Sequence, residues 1–398
     1  MRLARVRALI FLSACVLALV LLLTSRFFVV ARRDTDSLSD PAPNPLLLAS
    51  YLRRNFCAPP GSRDHLDYTA LAWLQASRLL NGGERDAALE AGERASVHGD
   101  EALASAEFSA MSAFYSFHAG VALLQPGGGA PRCAYHRIFK ANNMKTMNEI
   151  DAWNNGTTRI LTPDEFFTEF APAQIDVHSF TWGRAPLDRF LSGYGEILYR
   201  AMPDTVAYSD RLELRKEARS PERRAAGVTF LHLPPGDRDR FATFLRNLVA
   251  GAPIFEVEHV YSAAPVFFAA QRAGVGIAVG RLEAPSHHAD VRHIHARCGV
   301  AAAGVQGHSY GASLRDTPVG QDIADARSAL SKAGTPILDA LCLLLLPDFS
   351  CTGYLPPAGC RSVLQKFTEH VEQVRDKRRQ RSGSRRMDEA WRARDMWR

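Results

Sequence analysis

Residues 175–200 read IDVHSFTWGRAPLDRFLSGYGEILYR: a strand-like run, a short joint, and a helix that begins at a proline. Pro186 suits the first helical position, where a backbone N–H would find no intrahelical partner. Leu187 with Leu191 and Phe190 with Tyr194 are i,i+4 apolar pairs, so one face of this helix is turned to a core. Similar units recur along the chain. CAYHRIF (133–139) is strand-like, KANN turns, and MKTMNEIDAW is helical. A helix is expected over 237–249. A strand IFEVEHV (254–260) and a helix over 264–273 come next, then a strand at 274–283 and a helix over 286–298. Strands alternating with helices imply an α/β fold: a P-loop-like, mainly parallel sheet flanked by helices. There is no internal repeat.

The ends of the chain differ from this middle. The 398 residues are 46% apolar and 23% charged, enough for one large domain with attachments. Residues 361–398 hold 12 basic and 6 acidic side chains, so this tail carries the whole net charge of +6. It reads as a solvated basic helix and says little about the domain before it. At the other end, ALIFLSACVLALVLLLT (8–24) is uncharged, with arginines on both sides. Its 17 residues meet the lower limit of about 17 for a membrane span, and no A-x-A cleavage site follows. An uncleaved signal anchor is expected, with the bulk of the chain in a lumen.

The organisation expected is therefore a tail and signal-anchor transmembrane helix (1–33), a Pro- and Ser-rich linker (34–62), a helical stem or cap (63–128), the α/β domain (129–360) and the basic helical tail (361–398). Segments 200–224 and 301–320 read as loops, and ILDALCLLLLPDF as a closing helix. Of seven cysteines, Cys15 lies in the apolar segment. The other six permit three disulfides or buried free thiols; the close trio 342, 351 and 360 favours a local bridge. Asn155-Gly156-Thr157 is a glycosylation acceptor triplet. No CxxC or HExxH occurs, and the histidines of SHHADVRHIH lack partners at ligand spacing, so no metal is expected. No aromatic interleaving of basic residues supports nucleic-acid binding.

Two strand-to-helix joints carry the chemistry. A helix N-terminus is an anion site, because its first amides are unpaired and its dipole favours negative charge. In FKANNMKT (139–146) a lysine leaves a strand, small polar residues turn, and a helix starts; the Walker pattern GxxxxGK[ST] is missing. In the opening stretch Arg184 ends a strand and Ser192 lies two helical turns on. A guanidinium and a hydroxyl together can hold a second phosphate. Arg189 could serve as an exposed ion-pair partner, the structural alternative to a role at the phosphate. Two anion sites on neighbouring α/β units suit a nucleotide with phosphates at its 5′ and 3′ positions.

These stretches resemble the sulfotransferases. RAPLDRFLSGY is similar to their 3′-phosphate motif, usually Arg-Asp-Pro-x-x-Arg-x-x-Ser-x-Tyr, and YHRIFKANN to the 5′-phosphosulfate motif of the membrane-bound Golgi carbohydrate group. EHVYSAAPVFFA, GRLE followed by AD, and LCLLLLPDFSCTGY resemble three further segments of that group, in the same order, over about 132–354. The resemblance implies the co-substrate 3′-phosphoadenosine 5′-phosphosulfate, a glycan acceptor, and a single-pass type II protein of the Golgi membrane with a lumenal domain. Lys140 would neutralise charge on the leaving 5′-phosphate, and the stretch Ala141, Asn142, Asn143, Met144, Lys145 and Thr146 would cradle it. Arg184 and Ser192 would clamp the 3′-phosphate. A base should take the acceptor proton: His259 first, then His178, then His136.

Three positions depart from the family pattern. Ala185 replaces an acid, Asn142 a glycine and Met144 a hydroxyl residue, for which Thr146 could substitute. Other readings stay open. They are a catalytically inactive lumenal protein that binds nucleotide or glycan, a sulfotransferase for a protein or small-molecule acceptor, and a P-loop kinase-like enzyme. Oligomeric state is not legible.

Overall fold

The computed structural model describes residues 45–57, 68–82, 106–126, 129–141, 143–173, 177–201, 238–254, 256–283, 287–300 and 318–395. All of them belong to one compact unit, Pro43–Arg398. The apolar segment 8–24, Asn142, residues 202–237 and residues 301–317 lie outside the described residues.

The fold is α/β. Five strands, β1 (Val121–Leu124), β2 (Cys133–His136), β3 (Ile160–Leu161), β4 (His178–Gly183) and β5 (Ile277–Arg281), form one sheet in the order β3-β1-β2-β4-β5. β4 lies parallel between β2 and β5, with Tyr135 opposite Phe180 and Phe180 opposite Ala278. β1 is antiparallel to both β2 and β3. The sheet is therefore mixed, not mainly parallel. The cause is the eight-residue break 125–132, which is long enough for a hairpin and too short for the crossover a parallel pair requires. β1 itself was hidden in the segment read as helical stem.

Helices are α1 (Pro45–Phe56), α2 (Tyr68–Leu80), α3 (Ala106–Ser116), α4 (Asn143–Trp153), α5 (Pro186–Ala201), α6 (Arg238–Ala250), α7 (Ala264–Arg272), α8 (His287–Cys298), α9 (Pro318–Ser331), α10 (Pro336–Leu344), α11 (Leu346–Thr352) and α12 (Ala358–Asp395). One sheet face, with Tyr135, Phe180 and Trp182, packs on Ile150 of α4, Val266 of α7 and Val291 and Ile294 of α8. The other face, with Val121, Leu123 and Ala134, meets Phe166 of a π-helical turn, Glu165–Phe170. A larger helical core joins α2, α5, α6, α10 and α12. α5 enters it through Phe190, Leu191, Tyr194, Ile197 and Leu198, the i, i+1, i+4, i+7, i+8 stripe of an amphipathic helix.

Three boundaries differ from expectation. Twelve residues of the expected linker 34–62 form α1, whose Leu48, Leu52 and Phe56 are buried, so apolar period outweighed the Pro-rich flank. The helices expected as a stem or cap contribute Trp73 and Phe114 to the same core as Leu341 and Phe367, which fits a part of the domain and not a separate stem. The closing helix is two helices that break at Leu345, ahead of Pro347. Three disulfides join Cys57 to Cys351, Cys133 to Cys298 and Cys342 to Cys360; the last is the local bridge expected. Among the described residues no helix is long and apolar enough to cross a membrane.

Candidate functional site

β2, β4 and β5 end at one edge of the sheet, and each leads into a helix beyond it. That edge carries the candidate residues. Lys140 follows β2 in a left-handed conformation, φ 60°. Among the described residues three non-glycine positions have positive φ: Lys140, Asn155 and Glu256. Two of the three belong to this site, where such backbone strain tends to collect.

Lys140 Nζ lies 2.8 Å from Glu196 Oε2 on α5. Glu196 is one helical turn beyond Ser192, on the same helix face. Gly193, next to Ser192, touches the segment that carries His259: a Cβ at Gly193 would lie 2.2 Å from the His259 carbonyl oxygen. Phe139, next to Lys140, meets the His259 ring edge-on at 4.9 Å. Lys140, Ser192 and His259 therefore gather around one stretch of α5. Arg184 stands between β4 and α5, half-buried, and its guanidinium has no hydrogen-bond or ion-pair partner among the described residues.

His259 does not follow a strand. The expected strand 254–260 is replaced by one 3-10 turn, Val257–His259, after left-handed Glu256 (φ 52°), a geometry that ends an extended run. His259 is 6% exposed, and its Nε2 lies 3.1 Å from Glu256 Oε2. A carboxylate there places the proton on Nε2 and leaves Nδ1, which has no partner, as the acceptor.

The other candidates divide. Ala141 is in the core, and Thr146 is 2% exposed beside the Tyr135 hydroxyl, away from the surface of the turn. Asn143 Oδ1 accepts a long, 3.5 Å bond from Arg137 Nε, a cation at this joint that motif reading passed over. Lys145 lies along α4 toward Glu149, whose carboxyl is pushed up by burial. Asn142 and the Met144 side chain are outside the described residues. His178 opens β4, five residues from Gly183 and about 16 Å away along the strand, so it is not brought to this edge. Burial holds its imidazole below the ordinary value. His136 is fully buried against Phe166 and Phe167, and burial drives it well below that value.

Four carboxylates missed by sequence reasoning build the surroundings. Besides Glu196 and Glu256, Glu283 accepts the Ala185 amide at 2.6 Å and the Tyr354 hydroxyl at 2.6 Å. It supplies an acid at the start of α5 where Ala185 has none. Asp348 pairs with Arg189, which is buried rather than exposed. GRLE and LPDF, singled out above, were the available signals for these last two. Among the described residues no group of three or more His, Cys, Asp or Glu is placed to hold a metal ion.

No family model, curated protein or solved structure matches the chain. What the geometry itself defines is an α/β protein whose five-stranded mixed sheet, flanked by helices, presents cations at one edge.

Proposed function

We propose that this protein is a sulfotransferase that moves a sulfuryl group from 3′-phosphoadenosine 5′-phosphosulfate to a glycan hydroxyl, on a P-loop-like fold. One observation carries the reading. Lys140 and Arg184 follow neighbouring parallel strands, open at the same edge, and share α5 with Ser192.

The amides at the start of α4 and the Lys140 ammonium receive the 5′-phosphosulfate. Arg184 and Ser192 receive the 3′-phosphate. The acceptor oxygen attacks sulfur in line, its S–O bond forms as the bond from sulfur to the bridging oxygen breaks, and the electron pair leaves on the 5′-phosphate. Lys140 balances the charge that develops there. The acceptor proton passes to the His259 imidazole, with Glu256 steadying the ring from Nε2; Nδ1 is buried, so this step requires that acceptor binding uncover it. Residues 8–24 serve as the signal anchor of a type II Golgi membrane protein.

Incubating the full-length chain with labelled donor and a panel of polysaccharides tests the activity. Absence of both sulfate transfer and binding of adenosine 3′,5′-bisphosphate ends the proposal. The burial of His259 and the pairing of Lys140 with Glu196 favour a second reading, a binding protein on the same fold without turnover. Nucleotide binding with no transfer to any acceptor selects it.

A further inference from the structure

Lys140, the cation assigned above to the donor, is already engaged. Its ammonium meets Glu196 at 2.8 Å, with 19% and 22% of the two side chains exposed. A pair this sheltered is screened less by salt than a surface pair. Glu196 belongs to the helix that carries Ser192 and follows Arg184, so one element offers a hydroxyl to one phosphate and a carboxylate to the lysine of the other. An anion seated on Lys140 while Glu196 stays in place would bring like charges together, which is unfavourable.

Resting on the sulfotransferase reading, we propose that Glu196 is a built-in competitor of the donor. It neutralises Lys140 in the empty site and yields the lysine only to a ligand that gains further contacts elsewhere. A small inorganic anion has Lys140 and the α4 amides alone to displace Glu196. A nucleotide phosphorylated at both ends also reaches Arg184 and Ser192. The carboxylate thus lowers apparent affinity for all anions by the same factor, set by the fraction of time Lys140 is held, and the further contacts to Arg184 and Ser192 are what let a bisphosphorylated nucleotide still bind.

The test uses the full-length chain and two probes. Labelling of Lys140 by an amine-reactive ester, read by mass spectrometry, is measured with and without inorganic pyrophosphate. Adenosine 3′,5′-bisphosphate is titrated alongside. Glu196→Gln is expected to speed labelling, to let pyrophosphate protect Lys140 at roughly tenfold lower concentration, and to tighten nucleotide binding by roughly tenfold. Glu196→Ala moves all three the same way, and in a Lys140→Met background Glu196→Gln gives no gain in nucleotide affinity. Unchanged or weaker protection in both Glu196 variants overturns the proposal, as does pyrophosphate protection in none of the proteins. If nucleotide binds to no variant while pyrophosphate protection improves, the sulfotransferase reading fails and the competitor role stands. If nucleotide binds wild type and variants equally, the reverse holds.

Discussion

Arg189 and Asp348 form a buried ion pair, Nη2 to Oδ2 at 3.0 Å, with their side chains 2% and 1% exposed. The other Asp348 oxygen accepts the Ser262 hydroxyl at 3.0 Å and the amides of Ala263 and Ala264 at 2.6 and 3.0 Å. One carboxylate therefore ties α5 to the start of α7, and with it the turn that carries His259. Removing it leaves a guanidinium in the core without its partner.

Asp348→Ala is accordingly expected to destabilise the protein by about 3–5 kcal/mol, the usual cost of breaking a buried pair. Thermal unfolding checks this. Replacing both partners, Arg189→Met with Asp348→Leu, should recover part of the loss, since no charge is left uncompensated while the Ser262 hydroxyl and the Ala263 amide still lose their acceptor. A double variant as unstable as the single one would argue against the pair as the cause.

Gly193 permits the approach of α5 to the His259 carbonyl, at 2.2 Å from where a Cβ would stand. Backbone cannot swing aside as a side-chain tip can. Gly193→Ala should cost about 1–3 kcal/mol of overpacking strain and lower turnover by moving His259. Ser192→Ala, one residue away, should weaken binding of the bisphosphorylated nucleotide with little change in unfolding temperature.

The two cations are expected to fail differently. Lys140→Ala should reduce kcat by roughly 10²–10³, because it loses charge stabilisation at the leaving phosphate. Arg184→Ala should act mainly on nucleotide affinity, by about 1.5–3 kcal/mol for a bond between charged groups. Steady-state kinetics beside nucleotide titration separates them. Equal effects on both measurements from both variants would contradict the division of roles.

His259→Ala should lower kcat by roughly 10²–10⁴, the range for loss of a general base. His178→Ala, at the far end of β4, should change it much less. Single-turnover transfer distinguishes the two, and a larger effect at His178 would move the base away from this edge.

Stability should fall with acid. Burial lowers the His118 imidazole to about 4, and His136 is lowered well below its ordinary value by burial and by His118. Both are neutral in the fold and bind protons in the unfolded chain once pH drops below about 6.5. The unfolded state then holds more protons, so folding free energy declines as pH falls from about 6.5 toward 4, by up to ~1.4 kcal/mol per pH unit for each histidine. His136→Phe keeps the contacts with Phe166 and Phe167 and should flatten that decline. Urea unfolding at a series of pH values measures the slope.

The units β4–α5 and β5–α8 were legible in local pattern, because Pro186, apolar period and turn residues act within a few positions of one another. The expected helix 286–298 is His287–Cys298, and 237–249 is Arg238–Ala250. β1 was not legible: its four residues are too few to show a period, and pairing with β2 decides their state. IFEVEHV looked like a strand because its apolar residues alternate, yet a left-handed Glu256 turns it. Whether the helices of Trp73 and Phe114 form a stem or a cap was not legible, because nothing local reports a partner far along the chain.

What the sequence by itself determined is the supply of parts: a lysine and an arginine each at the end of a strand, helices begun at Asn143 and Pro186, and cysteines able to pair. Only the tertiary structure decided which charge each part meets. Lys140 faces Glu196, Arg189 faces Asp348, and Ala185 donates to Glu283, all across 56 residues or more. Propensity and period act over a turn or two of chain, whereas an ion pair depends on where distant backbone comes to rest.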